Sequence, residues 1–156
     1  MEMDQEFLEL HDLDWFTSCL DGTVLHFATG GCGFVPDFVR QSVSVYEEIY
    51  DYILSRSAGC GVEVVEENLP GFDSDIQRQR YLKSFSEMAG RGVFSYDVSN
   101  DGGYKLVAKP VVPLQLSDLP SQVKHCIFRS SMQALSIVSP LDIELRHNPA
   151  NGAVDV

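Results

Sequence analysis

The dipeptide Asp21-Gly22 constrains the fold most strongly, because it separates two runs of β-prone residues. The first run covers residues 13–20 and the second covers residues 23–29. An Asp-Gly pair between two such runs is a strong short-range signal for a β-hairpin, since its backbone twist matches that of the flanking strands. The sequence therefore predicts two antiparallel strands near the start of the chain.

A second hairpin is predicted further along the chain. Residues 93–96 and 104–108 are rich in aromatic and β-branched residues, and Asn, Asp and Gly occupy positions 100–103 between them. These residue types favour tight turns for local reasons of hydrogen bonding and backbone freedom. Together with the first hairpin, this pattern predicts an antiparallel sheet.

Two amphipathic helices are predicted between the hairpins. The first begins at Pro36 and ends near Ser55, and the second begins at a capping box, Ser74-x-x-Gln77, and ends at Gly90. Apolar residues recur at helical spacing in both. In the first helix they are Val39, Val43, Tyr46, Tyr50 and Ile53, and in the second they are Tyr81, Leu82, Phe85, Met88 and Ala89.

The remaining segments carry weaker signals. Residues 57–73 are predicted to form a long mobile connection with one short strand at 62–65, and residues 118–124 a short helix. One or two further strands are expected around residues 126–128 and 135–138.

The predicted fold class is α+β, with an antiparallel sheet and two main helices packed on it. Strands and helices are interspersed without a regular βαβ rhythm, and 156 residues suffice for one domain. We expect a single domain over residues 1–145 and a loose tail over residues 146–156.

Charge is distributed very unevenly along the chain. Residues 1–75 hold sixteen of the 23 carboxylates and two cations, Arg40 and Arg56, so their formal charge is −14. Residues 76–156 hold seven carboxylates and nine cations, a formal charge of +2. Such a field attracts cationic surfaces and repels nucleic acid and anionic lipid. A basic protein partner is therefore expected, with neither nucleic acid nor membrane.

The sequence also favours a cytoplasmic location. It begins with an acidic stretch rather than a basic one followed by an apolar run, and no stretch is apolar enough to span a bilayer. Its cysteines are irregularly spaced: Cys19, Cys32, Cys60 and Cys126. Free thiols are expected in that compartment, although a disulfide remains the alternative.

Two loops resemble ligand-binding motifs only in part. The stretch Gly30-Gly31-Cys32-Gly33 lies between a predicted strand and helix, as phosphate loops do, but it has no lysine and lies in the acidic half. Residues 97–102 match the first half of a calcium loop, but its twelfth position is Ala108 instead of glutamate. Glycine conformational freedom and turn chemistry explain these loops, so no cofactor is expected.

Cysteine and histidine do not form a convincing metal or catalytic set. The spacing Cys19-x6-His26-x5-Cys32 is uncommon for zinc and lacks a fourth ligand. A nucleophilic pair such as Cys32 with His125 would depend on the fold, since nothing in the spacing selects it. We therefore expect no metal site and no catalytic residues.

The acidic residues around the first helix form the candidate binding surface. Some lie on the outer side of that helix and others in the connection after it. They are Asp37, Glu47, Glu48, Asp51, Glu63, Glu66 and Glu67. Solubility alone also explains an acidic surface. The functional alternative is a docking face that steers a cationic protein.

Several short strings spread over residues 10–120 form a set. They are Asp14-Trp15-Phe16, Asp21-Gly22, His26-Phe27-Ala28 with Gly30-Gly31, Gly92 to Asp97, Tyr104 to Val107, Pro110 and Leu119-Pro120. Together they resemble a group of small bacterial proteins that are similar to the immunity proteins encoded beside polymorphic toxins. The resemblance implies a cytoplasmic, acidic, non-enzymatic protein that binds one toxin domain tightly.

The leading hypothesis is an immunity-type inhibitor that neutralises a cationic toxin, such as a nuclease, by occluding it. The alternative is a small enzyme or ligand-binding domain with a pocket near Gly30–Gly33 that contains Cys32 or His26. A DNA-mimic inhibitor is a third possibility, and it requires carboxylates spaced like phosphates along one face.

Overall fold

The computed structural model describes residues 1–31, 35–100, 103–132, 146–148 and 153–155, and it describes side chains up to residue 127. Its main sheet has five strands within these residues, in the order β1-β2-β4-β5-β3, and a separate pair is formed by β6 and β7. The strands are β1 Asp14–Ser18, β2 Val24–Ala28, β3 Val62–Val64, β4 Phe94–Val98, β5 Tyr104–Pro110, β6 Arg146–Asn148 and β7 Ala153–Asp155.

Both predicted hairpins are confirmed. Strands β1 and β2 are antiparallel, as are β4 and β5. At the first turn Gly22 has φ +85°, a conformation that favours glycine, and the Asp21 carboxylate accepts from the Thr23 N–H (3.0 Å). The sequence did not indicate that β2 and β4 pair in parallel. This pairing requires a crossover, which the helices between the two hairpins supply.

The helical segments follow the predicted amphipathic patterns. The α-helices are α1 Gln5–Leu10, α2 Asp37–Arg40, α3 Val43–Ser55, α4 Asp75–Gly90 and α5 Ser121–Met132. Short 3₁₀ helices occur at Glu66–Asn68 and Leu116–Asp118.

The first predicted helix is divided into α2 and α3. Ser42 has an extended backbone (φ −151°), and its hydroxyl accepts from the Val45 N–H as the N-cap of α3. Helix α4 begins as predicted, because the Ser74 hydroxyl accepts from the Gln77 N–H (3.1 Å). The Gln77 side chain accepts from the Asp73 N–H instead of the Ser74 N–H.

Other weak signals had mixed outcomes. The strand predicted at 126–128 is wrong, because these residues belong to α5, where Val123 and Ile127 are buried one helical turn apart. The strand predicted at 135–138 lies outside the described residues. The strand predicted at 62–65 is present as β3, which pairs with β5. Within the segment predicted as a tail, β6 and β7 pair antiparallel.

The sheet has apolar cores on both faces. Trp15 and Phe27 belong to a cluster that includes residues from α1 and α2. Phe16, on the opposite face, belongs to a cluster that includes Ile49 of α3 and Ile127 of α5, and α4 packs on β4 and β5. The α+β prediction is confirmed, with α3, α4 and α5 packed on the sheet in place of the two helices expected. Within the described residues, none of the helices has the length and apolar character to cross a membrane.

Candidate functional site

The acidic N-terminal elements are held together at the β1 edge of the sheet. The Met3 N–H donates to the Arg40 carbonyl (2.8 Å), and the Val43 N–H donates to the Met1 carbonyl (2.9 Å). The Arg40 side chain donates back to the Met3 carbonyl (3.3 Å). These bonds fix the first residues of the chain, and α1 after them, beside the connection between α2 and α3.

Carboxylates dominate the exposed side chains of these elements. We call the following group the acidic edge: Glu2, Asp4, Glu6, Glu9, Asp37, Glu47 and Asp51, all of which are exposed. Within the described part of the chain, none of them lies within 4.0 Å of a lysine or arginine nitrogen. The acidic edge is therefore a source of negative potential without local ion pairs.

Three of the four predicted residues on α2 and α3 belong to the acidic edge. Asp37, Glu47 and Asp51 are exposed, whereas Glu48 is half-buried and its carboxylate accepts from the Cys126 thiol (3.4 Å). The sequence interpretation did not include the carboxylates of residues 2–9. Their signal was present in the early acidic run, but only the backbone bonds to residues 40–43 place them here.

The other three predicted residues lie at the opposite edge of the sheet. Glu63 is on β3, and Glu66 and Glu67 are in the 3₁₀ helix after it. Strands β1 and β3 are separated by three strands, so their edges are about 19 Å apart. Glu63 lies 3.7 Å from Lys109, and Glu66 pairs with Arg78. The structure therefore does not bring all seven predicted residues together, and two of these three have local cationic partners.

A line of hydrogen bonds crosses three strands near the acidic edge. His26 faces Phe16 of β1 on one side and Ser95 of β4 on the other. Its Nε2 lies 2.7 Å from Asp14 Oδ1, and its Nδ1 lies 2.7 Å from Ser95 Oγ. When Asp14 is ionised, Nε2 carries the proton, and Nδ1 of the neutral ring accepts from the Ser95 hydroxyl.

This set contains the residue types of a serine hydrolase triad, but its burial argues against that chemistry. Ser95 is 0% exposed and His26 is 1% exposed, so a substrate carbonyl has no path to the serine oxygen in this structure. Asp14 is the accessible member, with 30% of its side chain exposed. The hydrogen bonds therefore satisfy buried polar groups and hold the Asp14 carboxylate in place.

Two tyrosines of α3 lie beside Asp14. The rings of Tyr46 and Tyr50 stack with centroids 5.8 Å apart, and the Tyr46 hydroxyl lies beside the Asp14 backbone. Burial raises the pKa of both hydroxyls, and the negative charge of Asp14 raises it further. An apolar cleft on α3 adjoins this position, lined by Phe16, Phe38, Val39, Val45, Tyr46 and Ile49.

Of the alternative site at Gly30–Gly33, the structure describes Gly30 and Gly31. Gly30 and Gly31 are exposed and have φ of +58° and +76°, so their conformation accounts for the glycines. Cys32 and the two residues after it lie outside the described residues. His26 is buried in the sheet, and burial raises the pKa of the Cys19 thiol to about 11, which disfavours a reactive thiolate.

No family model, curated protein or solved structure matches the chain. Among the described residues, no group of three histidine, cysteine or carboxylate side chains is placed to hold a metal ion. Among the described residues, the candidate site consists of the exposed carboxylates of the acidic edge and the Asp14 carboxylate with its two tyrosines.

Proposed function

We propose that this chain is a non-enzymatic protein-binding domain, which uses the acidic edge to bind a basic protein. The observation that carries the proposal is the imbalance of charge at that edge. Residues 1–55 contain eleven carboxylates and one cation, Arg40, whose guanidinium donates to the Met3 carbonyl. A partner would therefore meet carboxylates that, among the described residues, have no lysine or arginine nitrogen within 4.0 Å.

The binding energy would have two sources. Long-range attraction from the acidic edge would accelerate encounter with a cationic surface and would weaken as salt rises. Aromatic side chains at the centre of the contact would supply most of the affinity, because buried anchors dominate protein interfaces. The half-buried rings of Tyr46 and Tyr50, beside Glu47 and Asp51, are suited to that role.

We further propose that the partner is a cationic toxin domain, such as a nuclease, and that the chain protects the cytoplasm by occluding its active face. The support for this finer proposal is the resemblance to immunity-type proteins together with the acidic edge. A nuclease must attract phosphate, so its active face is basic and complements a surface of clustered carboxylates.

The experiment is co-expression of this chain with the toxin domain encoded beside its gene, in a bacterial host, with growth and affinity as readouts. We expect protection of growth and a dissociation constant that rises with salt concentration. Changing Glu47→Gln and Asp51→Asn together should weaken binding by about tenfold or more, since both carboxylates are exposed and unpaired.

The matched control removes two charges from the other edge of the sheet. Glu63→Gln and Glu67→Gln together should change the affinity by less than about twofold, because these residues lie far from α3. Equal weakening by both double variants would contradict the proposed surface. Adjoining genes that encode no toxin, together with no protection of growth, would contradict the immunity role.

A further inference from the structure

The Asp14 carboxylate has one oxygen in use and one available. Oδ1 is 2.7 Å from His26 Nε2, whereas Oδ2 makes no hydrogen bond to any residue that the structure describes. The side chain is 30% exposed, so a ligand can reach it from solvent. A partly buried carboxylate with a free oxygen is a strong acceptor for a cationic donor, since water screens it less than a surface carboxylate.

Aromatic rings lie on the same face of β1 as this carboxylate, because Phe16 is two residues from Asp14 along the strand. Tyr46 and Tyr50 stack at 5.8 Å, and Phe16 lies 6.3 Å from Tyr50, measured between ring centroids. Burial raises the pKa of both tyrosines, and the negative charge of Asp14 raises it further. A planar cation can stack on such rings while it donates to the carboxylate.

The carboxylate is also held rigidly. His26 orients it from the buried side, and Ser95 in turn fixes the His26 ring (2.7 Å). The strand that carries Asp14 also packs against α3. A group that is already ordered loses little conformational entropy when a ligand binds to it.

We infer that Asp14, Tyr46 and Tyr50 form a subsite for an arginine side chain of the basic partner. The guanidinium donates to Asp14 Oδ2 and stacks on a tyrosine ring, and His26 and Ser95 act as positioning residues. The inference deepens the proposed function and rests on it, because the arginine belongs to the protein that binds the acidic edge.

Arginine is favoured over lysine because the two cations differ in shape and in hydration. A guanidinium is planar and stacks on an aromatic face, whereas an ammonium is a compact and strongly hydrated point charge. The electrostatic field of the acidic edge attracts both cations equally. A preference for arginine would therefore be evidence for the subsite that is independent of this general attraction.

The test measures binding of fluorescein-labelled hexa-arginine and hexa-lysine peptides at low salt, by fluorescence anisotropy. Wild-type protein should bind hexa-arginine about fivefold or more tightly than hexa-lysine. Asp14→Asn keeps an oxygen for His26 but removes the charge, and it should abolish this preference. Glu9→Gln is the matched control, since it removes one exposed charge from the acidic edge and should leave the preference unchanged.

A second variant covers the case in which Asp14→Asn does not fold. Tyr50→Leu removes a half-buried ring without touching the His26 hydrogen bonds, and it too should reduce the preference for hexa-arginine. Thermal melts identify which variants are folded before their affinities are compared.

The outcomes separate the two proposals. Equal binding of both peptides by wild-type protein, with Asp14→Asn behaving like Glu9→Gln, would overturn the subsite and leave the proposed function standing. Failure of wild-type protein to bind either peptide at low salt would overturn the proposed function together with the subsite. A preference for arginine that disappears in Asp14→Asn and Tyr50→Leu supports both.

Discussion

Arg56 and Arg91 each donate a hydrogen bond to the backbone of the other. Arg56 Nε donates to the Arg91 carbonyl (3.1 Å), and Arg91 Nε donates to the Arg56 carbonyl (3.2 Å). Both residues follow the last turn of a helix, α3 for Arg56 and α4 for Arg91. Each cation therefore lies at the negative end of a helix dipole. Each donates to the backbone carbonyl of the arginine at the end of the other helix.

This reciprocal pair predicts a loss of stability when either arginine is truncated. Arg56→Ala should lower the free energy of unfolding by about 1–2 kcal/mol, since it removes a charged donor at a helix terminus. Urea unfolding measures the difference. Arg80→Ala, at an exposed position of α4, is the control and should change stability by less than about 0.5 kcal/mol. Similar losses in both variants would mean that the reciprocal bonds contribute nothing specific.

We expect a second loss of stability when the Ser95 hydroxyl is removed. Ser95→Ala leaves His26 Nδ1 buried without a partner among the described residues, which should cost about 1–3 kcal/mol. Thermal or urea unfolding checks this cost, with Ser84→Ala on the exposed face of α4 as the control. An unchanged unfolding midpoint for Ser95→Ala would show that the bond to His26 does not stabilise the sheet.

At Gly90, helix propensity and packing predict opposite effects of a substitution by alanine. Propensity alone predicts that Gly90→Ala in α4 stabilises the protein by up to about 1 kcal/mol. A Cβ atom at this position, however, would lie 2.7 Å from the Ala58 carbonyl oxygen, closer than van der Waals contact allows. We therefore expect a loss of about 1–3 kcal/mol in urea unfolding.

Gly71→Ala is the matched control, because a Cβ atom there has no neighbour within 4 Å. This substitution should be neutral or slightly stabilising, since it restricts the unfolded chain. A gain of stability in Gly90→Ala would show that the backbone at Ala58 shifts without cost.

Because the Cys19 thiol and the Tyr96 hydroxyl are buried in their protonated forms, we expect the stability of the protein to fall at alkaline pH. Burial raises the pKa of the Cys19 thiol from 9.0 to about 11 in the folded protein, so the folded state retains this proton at a pH where the unfolded chain has released it. The contribution of Cys19 is therefore complete below pH 9 and is lost as pH rises through about 11. Burial raises the pKa of Tyr96 as well, which extends the loss to higher pH.

Urea unfolding at a series of pH values from 7 to 11 measures this dependence. Cys19→Ala should reduce the slope of stability against pH between 9 and 11, the interval between its two pKa values. Cys60→Ala, which removes a thiol from a half-exposed position, is measured in parallel as the control. Identical slopes for wild type and Cys19→Ala would contradict a buried thiol that titrates late.

Local signals were sufficient for much of the secondary structure. The Asp21-Gly22 turn, the Ser74 cap and the apolar spacing of α3 and α4 act between residues close in sequence, so they can be recognised without the fold. The prediction of a strand at 126–128 was wrong because a short apolar run is compatible with either a strand or a buried helix face.

The candidate site was only partly predictable, because local signals relate only those residues that are close in sequence. Glu47 and Asp51 lie on one helix, so their proximity follows from helical periodicity alone. His26 lies in the strand predicted over residues 23–29, but Asp14 and Ser95 come from strands twelve residues before it and 69 residues after it. The register of the first hairpin brings Asp14 near His26, whereas no spacing rule connects His26 with Ser95, because the parallel pairing of β2 with β4 sets that register.

The acidic character of the first half, the two hairpins and the α+β class could be predicted from the residues alone, because composition, turn chemistry and periodicity are local properties. Which carboxylates share an edge depends on the tertiary packing. It placed Glu63, Glu66 and Glu67 at the β3 edge, two of them beside cations, and it tied residues 1–3 to the connection between α2 and α3. The order of strands in a sheet and the docking of a terminus depend on long-range packing, which brings together groups that are distant along the chain.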